Sequence, residues 1–217
     1  MTPLSKLFLS AIFFSCSTIL FGQSSPEAKA QLNRVSQVVS AFNNIEIDFT
    51  YELINTEADI NQKTNGSILI SGDQYKLNIL GITRIFDGAK LYTISPEDEE
   101  ITISSGSSDG DETISPNEML QFFNTGYHAK MDITQKIPGR IIQFVKLVPV
   151  KKNNDVSYLL LGIDKATNMI YRLIEIGSEN TKTVITVNSY KANTSLPTNT
   201  FKYDPKAYPG YFINKLD

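Results

Sequence analysis

Ile45-Glu46-Ile47-Asp48-Phe49-Thr50-Tyr51-Glu52-Leu53 is the stretch on which the fold turns. Every odd position is apolar, and every even one is a carboxylate or a threonine. Side chains on a strand alternate between its two faces, so period-2 patterning describes a long strand with one apolar and one wet face.

The same alternation continues downstream. After a polar link come Gly66-Ser67-Ile68-Leu69-Ile70, a turn at Ser71-Gly72-Asp73, and Tyr75-Lys76-Leu77-Asn78-Ile79. Thr83 to Phe86 runs into Asp87-Gly88, a two-residue hairpin signal, and emerges as Leu91-Tyr92-Thr93-Ile94. A turn over Ser95 to Glu99 returns as Ile101-Thr102-Ile103. Residues 104–114 break the pattern with Ser, Gly and Asp. Ser115-Pro116-Asn117-Glu118 then reads as a capping box opening a short helix that carries Met119, Leu120, Phe122 and Phe123. Further strands are expected at about 129–136, 140–148, 156–163, 169–177 and 182–190, before a proline-rich tail. Roughly eleven strands joined by hairpin-length links imply antiparallel pairing throughout.

Upstream lies one amphipathic helix. Ser25 can cap it, Pro26 suits its first position, and Leu32, Val35, Val38, Val39 and Phe42 share a stripe, with Asn43-Asn44 ending it. Before it, Lys6 and the apolar run from Leu7 to Phe21, closed by Gly22-Gln23, have the order of a cleaved signal peptide. Residues 1–23 are therefore expected to be removed, leaving a single exported domain over 24–217 in the periplasm. Cys16, the only cysteine, lies inside the apolar run. Phe13-Phe14-Ser15-Cys16 is a poor lipoprotein-processing site, so ordinary cleavage is favoured and lipidation is the alternative. The mature chain would then have no thiol chemistry.

Composition narrows the function. Removing residues 1–23 takes only Lys6 from the charged groups, leaving 19 basic against 23 acidic residues, net −4. A mildly acidic chain without a basic run argues against nucleic acid and against docking on anionic lipid. Twelve phenylalanines and ten tyrosines fit a strand-rich fold. His128, the only histidine, has no partner for a triad or a metal site and reads as strand surface. The acidic stretches Glu97-Asp98-Glu99-Glu100 and Asp109-Gly110-Asp111-Glu112 lack EF-hand spacing and read as solvated loops. Neither an enzyme nor a cofactor is expected.

One sheet with a single greasy side and two short helices either curls around its own side chains or leaves a concavity. Pattern alone leaves both open, since a stripe of apolar residues is ordinarily core.

Several motifs, taken in order, resemble the LolA-type outer-membrane lipoprotein carriers. They are the first helix ending Val38-Val39-Ser40-Ala41-Phe42 before Phe49, then Gly66-Ser67-Ile68-Leu69-Ile70, then Ile85-Phe86-Asp87-Gly88-Ala89-Lys90-Leu91-Tyr92-Thr93-Ile94-Ser95-Pro96. Leu147-Val148-Pro149, Ile163-Asp164-Lys165, Phe201-Lys202-Tyr203-Asp204 and Tyr208-Pro209-Gly210 follow. The resemblance implies an unclosed antiparallel β-barrel with helices as a lid over an apolar cavity. That cavity would hold the acyl chains of lipoproteins released by an inner-membrane ABC-type complex, for delivery by a monomeric carrier to an outer-membrane acceptor.

On that reading Ile47, Phe49, Tyr51, Leu53, Tyr75, Leu77 and Ile79 face the cavity. Leu32, Val35, Val39 and Phe42 form a lid with Met119, Leu120, Phe122 and Phe123. The family's arginine beside a proline after the second strand, which bonds the lid shut, has no counterpart in Ser71-Gly72-Asp73; Arg84, the nearest, lies on another strand. Two other functions fit the same fold: a carrier of a glycolipid or pigment precursor, and a lipid-sensing adaptor that moves no cargo.

Overall fold

The structure is a computed structural model and describes residues 24–105, 121–151, 155–178 and 180–216. The expected signal peptide, Cys16, the 109–112 acidic loop, the Ser115 cap, Met119 and Leu120 lie outside them.

Helix α1 spans Pro26–Ser40. Ser25 caps it through its side chain, which accepts from the Ala28 N–H at 3.1 Å, and Pro26 opens it. Twelve strands follow: β1 Asn44–Asn55, β2 Ile60–Ser71, β3 Gln74–Ile79, β4 Ile82–Phe86, β5 Lys90–Ser95, β6 Glu100–Ser105, β7 Tyr127–Ile137, β8 Arg140–Pro149, β9 Val156–Asp164, β10 Ile170–Gly177, β11 Thr181–Ala192 and β12 Phe212–Leu216. They form one sheet in the order β12-β6-β5-β4-β3-β2-β1-β11-β10-β9-β8-β7. The two edge strands, β12 and β7, are not paired with each other, so the barrel is open. Pairing irregularities beside Phe49, Ile170 and Met131 bend the sheet, as extra residues in one strand of a pair do.

Three expectations are corrected. The polar link before Gly66 is strand: β1 and β2 pair continuously from Asn44↔Ser71 to Asn55↔Ile60. Its Asn, Gln, Lys and Thr side chains conceal the period because this end of the hairpin is exposed on both faces. The twelfth strand lies in the tail and runs parallel to β6, so pairing is not antiparallel throughout. Last, Phe122 and Phe123 lie not in α-helix but in a 3-10 turn, Phe122–Asn124, that follows the helical Gln121; the rest of the expected helix lies outside the described residues.

The sheet also has more than one apolar side. The concave face under α1 packs Leu32, Val35 and Phe123 against Val145, Leu147 and Leu161. On β4 and β5, Phe86 and Leu91 belong to the concave side, whereas Ile85, Tyr92 and Ile94 alternate to the other. There the C-terminal segment covers them with Phe201, Tyr203 and Tyr208, and Tyr203 stacks on Tyr92 with ring centroids 5.0 Å apart.

Candidate functional site

Strands packed as core need facing side chains, and part of the concave face has none. A cavity of about 280 Å³ opens between the C-terminal end of α1 and the sheet. Its floor is Ile45, Ile47, Phe49 and Tyr51 of β1, Ile68 and Ile70 of β2, and Leu77 and Ile79 of β3. Register explains the assembly. Ile45 pairs with Ile70, Ile47 with Ile68, and Ile68 in turn with Leu77, so the period-2 pattern of three strands falls on one face. Beyond β1, Val187 and Ile185 of β11 stand opposite Phe49 and Tyr51. Leu161, Met169, Ile170 and Leu173 complete that wall, and Val39 and Phe122 form the roof.

The lining is almost all hydrocarbon. Tyr51 and Tyr190 bring its side-chain hydroxyls. That of Tyr190 is buried and meets no hydrogen-bond partner among the described residues. Burial drives its pKa far above the usual tyrosine value, with Arg140 opposing and Asp164 adding to the rise, so the group stays neutral. Asp164 accepts from the Ala166 N–H and lies 3.8 Å from Arg140.

Of the residues expected at the site, Val39, Ile47, Phe49, Tyr51, Leu77, Ile79 and Phe122 line the cavity. Leu32, Val35 and Phe123 do not: they are 4%, 0% and 2% exposed and fill the core beneath α1. Tyr75, 1% exposed, is packed within the cluster of Ile45 and Leu91. Leu53 is half-buried at the outer end of β1, beyond the lining. The β11 and β10 contribution went unassigned in the sequence. For β11 its signal was present in Ile185 and Val187, two residues apart on one face, but Val184 beside them on the other face and the flanking threonines blur the alternation.

A second hollow, of about 570 Å³, adjoins the first and shares Val39, Ile45, Ile70 and Phe122 with it. Phe42, expected in the lid, lies here. The rest of this vestibule is polar: Ser40, Asn43, Asn44, Gln121, Asn124 and Thr125, with Gly72 at the β2–β3 turn. Ser36 and Asn124 exchange hydrogen bonds at 3.2 and 3.1 Å, and Asn124 also donates to Gln121, which reaches Ser40 at 3.4 Å. That chain ties the end of α1 to the 3-10 turn.

Arg84 pairs directly with Leu77, which puts it on the concave face beside the cavity and outside both linings. His128 is half-buried on β7, opposite Val148. Among the described residues no cluster of His, Cys, Asp or Glu could hold a metal ion.

No family model and no curated relative matches the sequence. Solved structures do match. The chain shares its fold with an uncharacterised conserved protein from Thermus thermophilus. The two are 10% identical and superpose with a TM-score of 0.58 over 88% of this chain and 99% of that one. LolA superfamily protein NE2245 from Nitrosomonas europaea is also similar, with 12% identity, a TM-score of 0.44 and coverage of 82% and 98%. LprF from Mycobacterium bovis gives 13% identity, 0.47, and 82% and 99%. The likeness is one of fold.

Proposed function

We propose that this protein is a periplasmic, non-enzymatic carrier of the LolA type. It shelters the acyl chains of lipoproteins in the apolar cavity while they cross between membranes, taking them from an inner-membrane ABC-type releasing complex. The observation that carries this reading is the cavity's lining, where α1 and strands from both halves of the sheet converge on hydrocarbon with no charged side chain among the described residues. Each methylene exposed to water costs roughly 0.8 kcal/mol, so a long acyl chain cannot cross an aqueous space uncovered. Apolar walls supply cover without a polar lock, and release then needs no chemical energy source. Aromatic residues and Met169 line the cavity and can adapt to chains of different length.

The test is lipid extraction from the protein purified out of its native envelope, followed by mass spectrometry. Diacylated or triacylated peptides are expected. Free glycolipid would reassign the cargo, and an empty protein that binds no apolar fluorescent probe would end the carrier reading. Ile79 lines the cavity and is half-buried, so Ile79→Glu should abolish probe binding while the protein still folds.

A further inference from the structure

The geometry points to a head-group site in the vestibule, selective for the uncharged, hydrogen-bonding head of the same amphiphile whose chains enter the cavity. The inference rests on the carrier reading and specifies its ligand.

Continuity comes first. Val39, Ile45, Ile70 and Phe122 border both hollows, so a chain lying in the cavity leads its polar end into the vestibule. The vestibule's polar groups are amides and hydroxyls, and none of its described lining residues is charged. Asn44 is occupied structurally: its amide donates to the Thr194 carbonyl at 2.9 Å and accepts from the Thr194 N–H at 3.0 Å. Asn43 differs. Its backbone N–H is held by Asn193 at 2.8 Å, but its exposed side-chain amide makes no hydrogen bond among the described residues. The hydroxyl of Thr125 is likewise uncommitted among them. These two groups, with the Ser40–Gln121–Asn124 chain, offer donors and acceptors in one rim.

Such a rim suits a peptide backbone or a sugar, which presents donors and acceptors of its own. It does not suit a phosphate. An anion entering a site whose described lining holds no cation gives up hydration and gains no charge-assisted bond from it. The residue that follows Gly72 at the rim, Asp73, adds repulsion. Arg84, a cation on the concave face, lies outside the described lining of the vestibule.

The experiment compares ligands with identical diacyl chains on the full chain, by displacement of an apolar fluorescent probe. One carries an N-acetylated diacylglyceryl-cysteine peptide amide of neutral sequence, so that its α-amino group bears no charge, one a galactosyl head, and one the phosphatidylglycerol head. At least one neutral ligand is expected to bind tenfold or more tightly than phosphatidylglycerol, and the tighter arm names peptide or sugar. Asn43→Lys and Thr125→Lys, both at exposed positions, should narrow that ratio while thermal unfolding stays unchanged. Equal binding of all three, unaltered by either variant, would overturn the inference and leave the carrier reading intact. Preferred binding of phosphatidylglycerol, lost in Arg84→Gln, would place an acidic head elsewhere and also overturn it. Failure of every ligand and of the probe would remove the carrier reading itself.

Discussion

Phe49 fills the space that a side chain on Gly66 would need. A Cβ at residue 66 would lie 2.5 Å from Phe49 Cζ and 2.9 Å from the Asn78 carbonyl oxygen. The two residues are direct partners across β1 and β2, beside the irregularity at Asp48 and Phe49. Glycine inside a strand normally costs about 0.5–1 kcal/mol against alanine. Here it lets the ring lie against bare backbone and form the cavity floor.

Gly66→Ala should therefore destabilise the protein by about 1–3 kcal/mol, as overpacking does, and push the ring into the cavity. Probe affinity should fall with it. Adding Phe49→Leu should recover part of both losses, a coupling of about 0.5 kcal/mol or more that thermal unfolding can read. Strictly additive effects would show that the two residues do not compete for one space. Phe49→Ala alone should cost about 2–3 kcal/mol, less than the ~3–5 of an enclosed phenylalanine, because one side of the ring already borders empty space.

The buried Tyr190 hydroxyl lacks a partner among the described residues, and an unsatisfied buried polar group costs on the order of 1–3 kcal/mol. Tyr190→Phe keeps the ring and removes the liability. It should raise the melting temperature by about 2–4 °C, the shift that roughly 1 kcal/mol gives a domain of this size. A lower melting temperature would mean that the hydroxyl has a partner, such as a buried water.

At the β4–β5 hairpin, Asp87 accepts from the N–H groups of Ala89 and Lys90 at 2.9 and 2.8 Å, and from the Tyr92 hydroxyl at 3.2 Å. Partial burial raises its pKa, but those donors and the Lys90 charge outweigh this and hold it below the ordinary value. A depressed folded pKa contributes stability above the unfolded pKa and loses it as pH falls through the folded one. Wild-type and Asp87→Asn stabilities should therefore differ by about 1 kcal/mol near neutrality, begin to approach each other below roughly pH 4, and meet only once the pH is below the depressed folded pKa. A difference that persists into acid would assign the effect to shape rather than charge.

The strand alternation from Ile45 to Leu53 made the central strand and its apolar face legible in the sequence, and Asp87-Gly88 located a hairpin, whereas the open half-barrel was legible only through the resemblance carried by the ordered motifs. The alternation could not say which apolar residues meet empty space. Leu32 and Val39 share one stripe of α1, yet Leu32 fills the core with residues of β8 and β9 while Val39 reaches the cavity. That division depends on where α1 lies across the sheet, a tertiary fact. β12 was hidden for a different reason. Phe212-Ile213-Asn214-Lys215-Leu216 is short and follows Pro209-Gly210, and its pairing with β6 spans more than a hundred residues.

The tail that leads to β12 offers a control. Phe201 is 6% exposed on the outer side of the sheet, among Ile85, Ile94 and Ile101. Phe201→Ala should cost about 3–5 kcal/mol yet leave probe affinity per folded molecule unchanged, because that cluster faces away from the cavity. Weakened binding by the folded fraction would couple the two faces.

The last prediction divides the lid. On the sequence, the stripe of α1 and the Phe122 segment form one lid. The structure ties most of α1 down: Ala28, Leu32 and Val35 are buried in the core, and Ser24 and Ser25 bond to Ala129 of β7 at 2.9 and 2.8 Å. Gln31 donates to Asn168 at 3.2 Å, fixing the helix to the β9–β10 turn. Lifting this part would expose a continuous apolar core, at about 25 cal/mol for each Å² uncovered. The end of α1 is held differently: Val39 is its one buried apolar anchor and borders the cavity, and the rest are exposed polar bonds among Ser36, Ser40, Gln121 and Asn124, each worth on the order of 1 kcal/mol or less. Opening should begin there, with Val39 and Phe122 parting over the cavity. In a Cys16→Ser background, a disulfide between Ser36→Cys and Asn124→Cys should slow probe uptake at least tenfold, with recovery on reduction. A disulfide between Gln31→Cys and Asn168→Cys should leave the rate unchanged. Stopped-flow fluorescence on both proteins decides: if the second cross-link blocks uptake, α1 moves as a whole, and if neither does, the cavity fills without a lid.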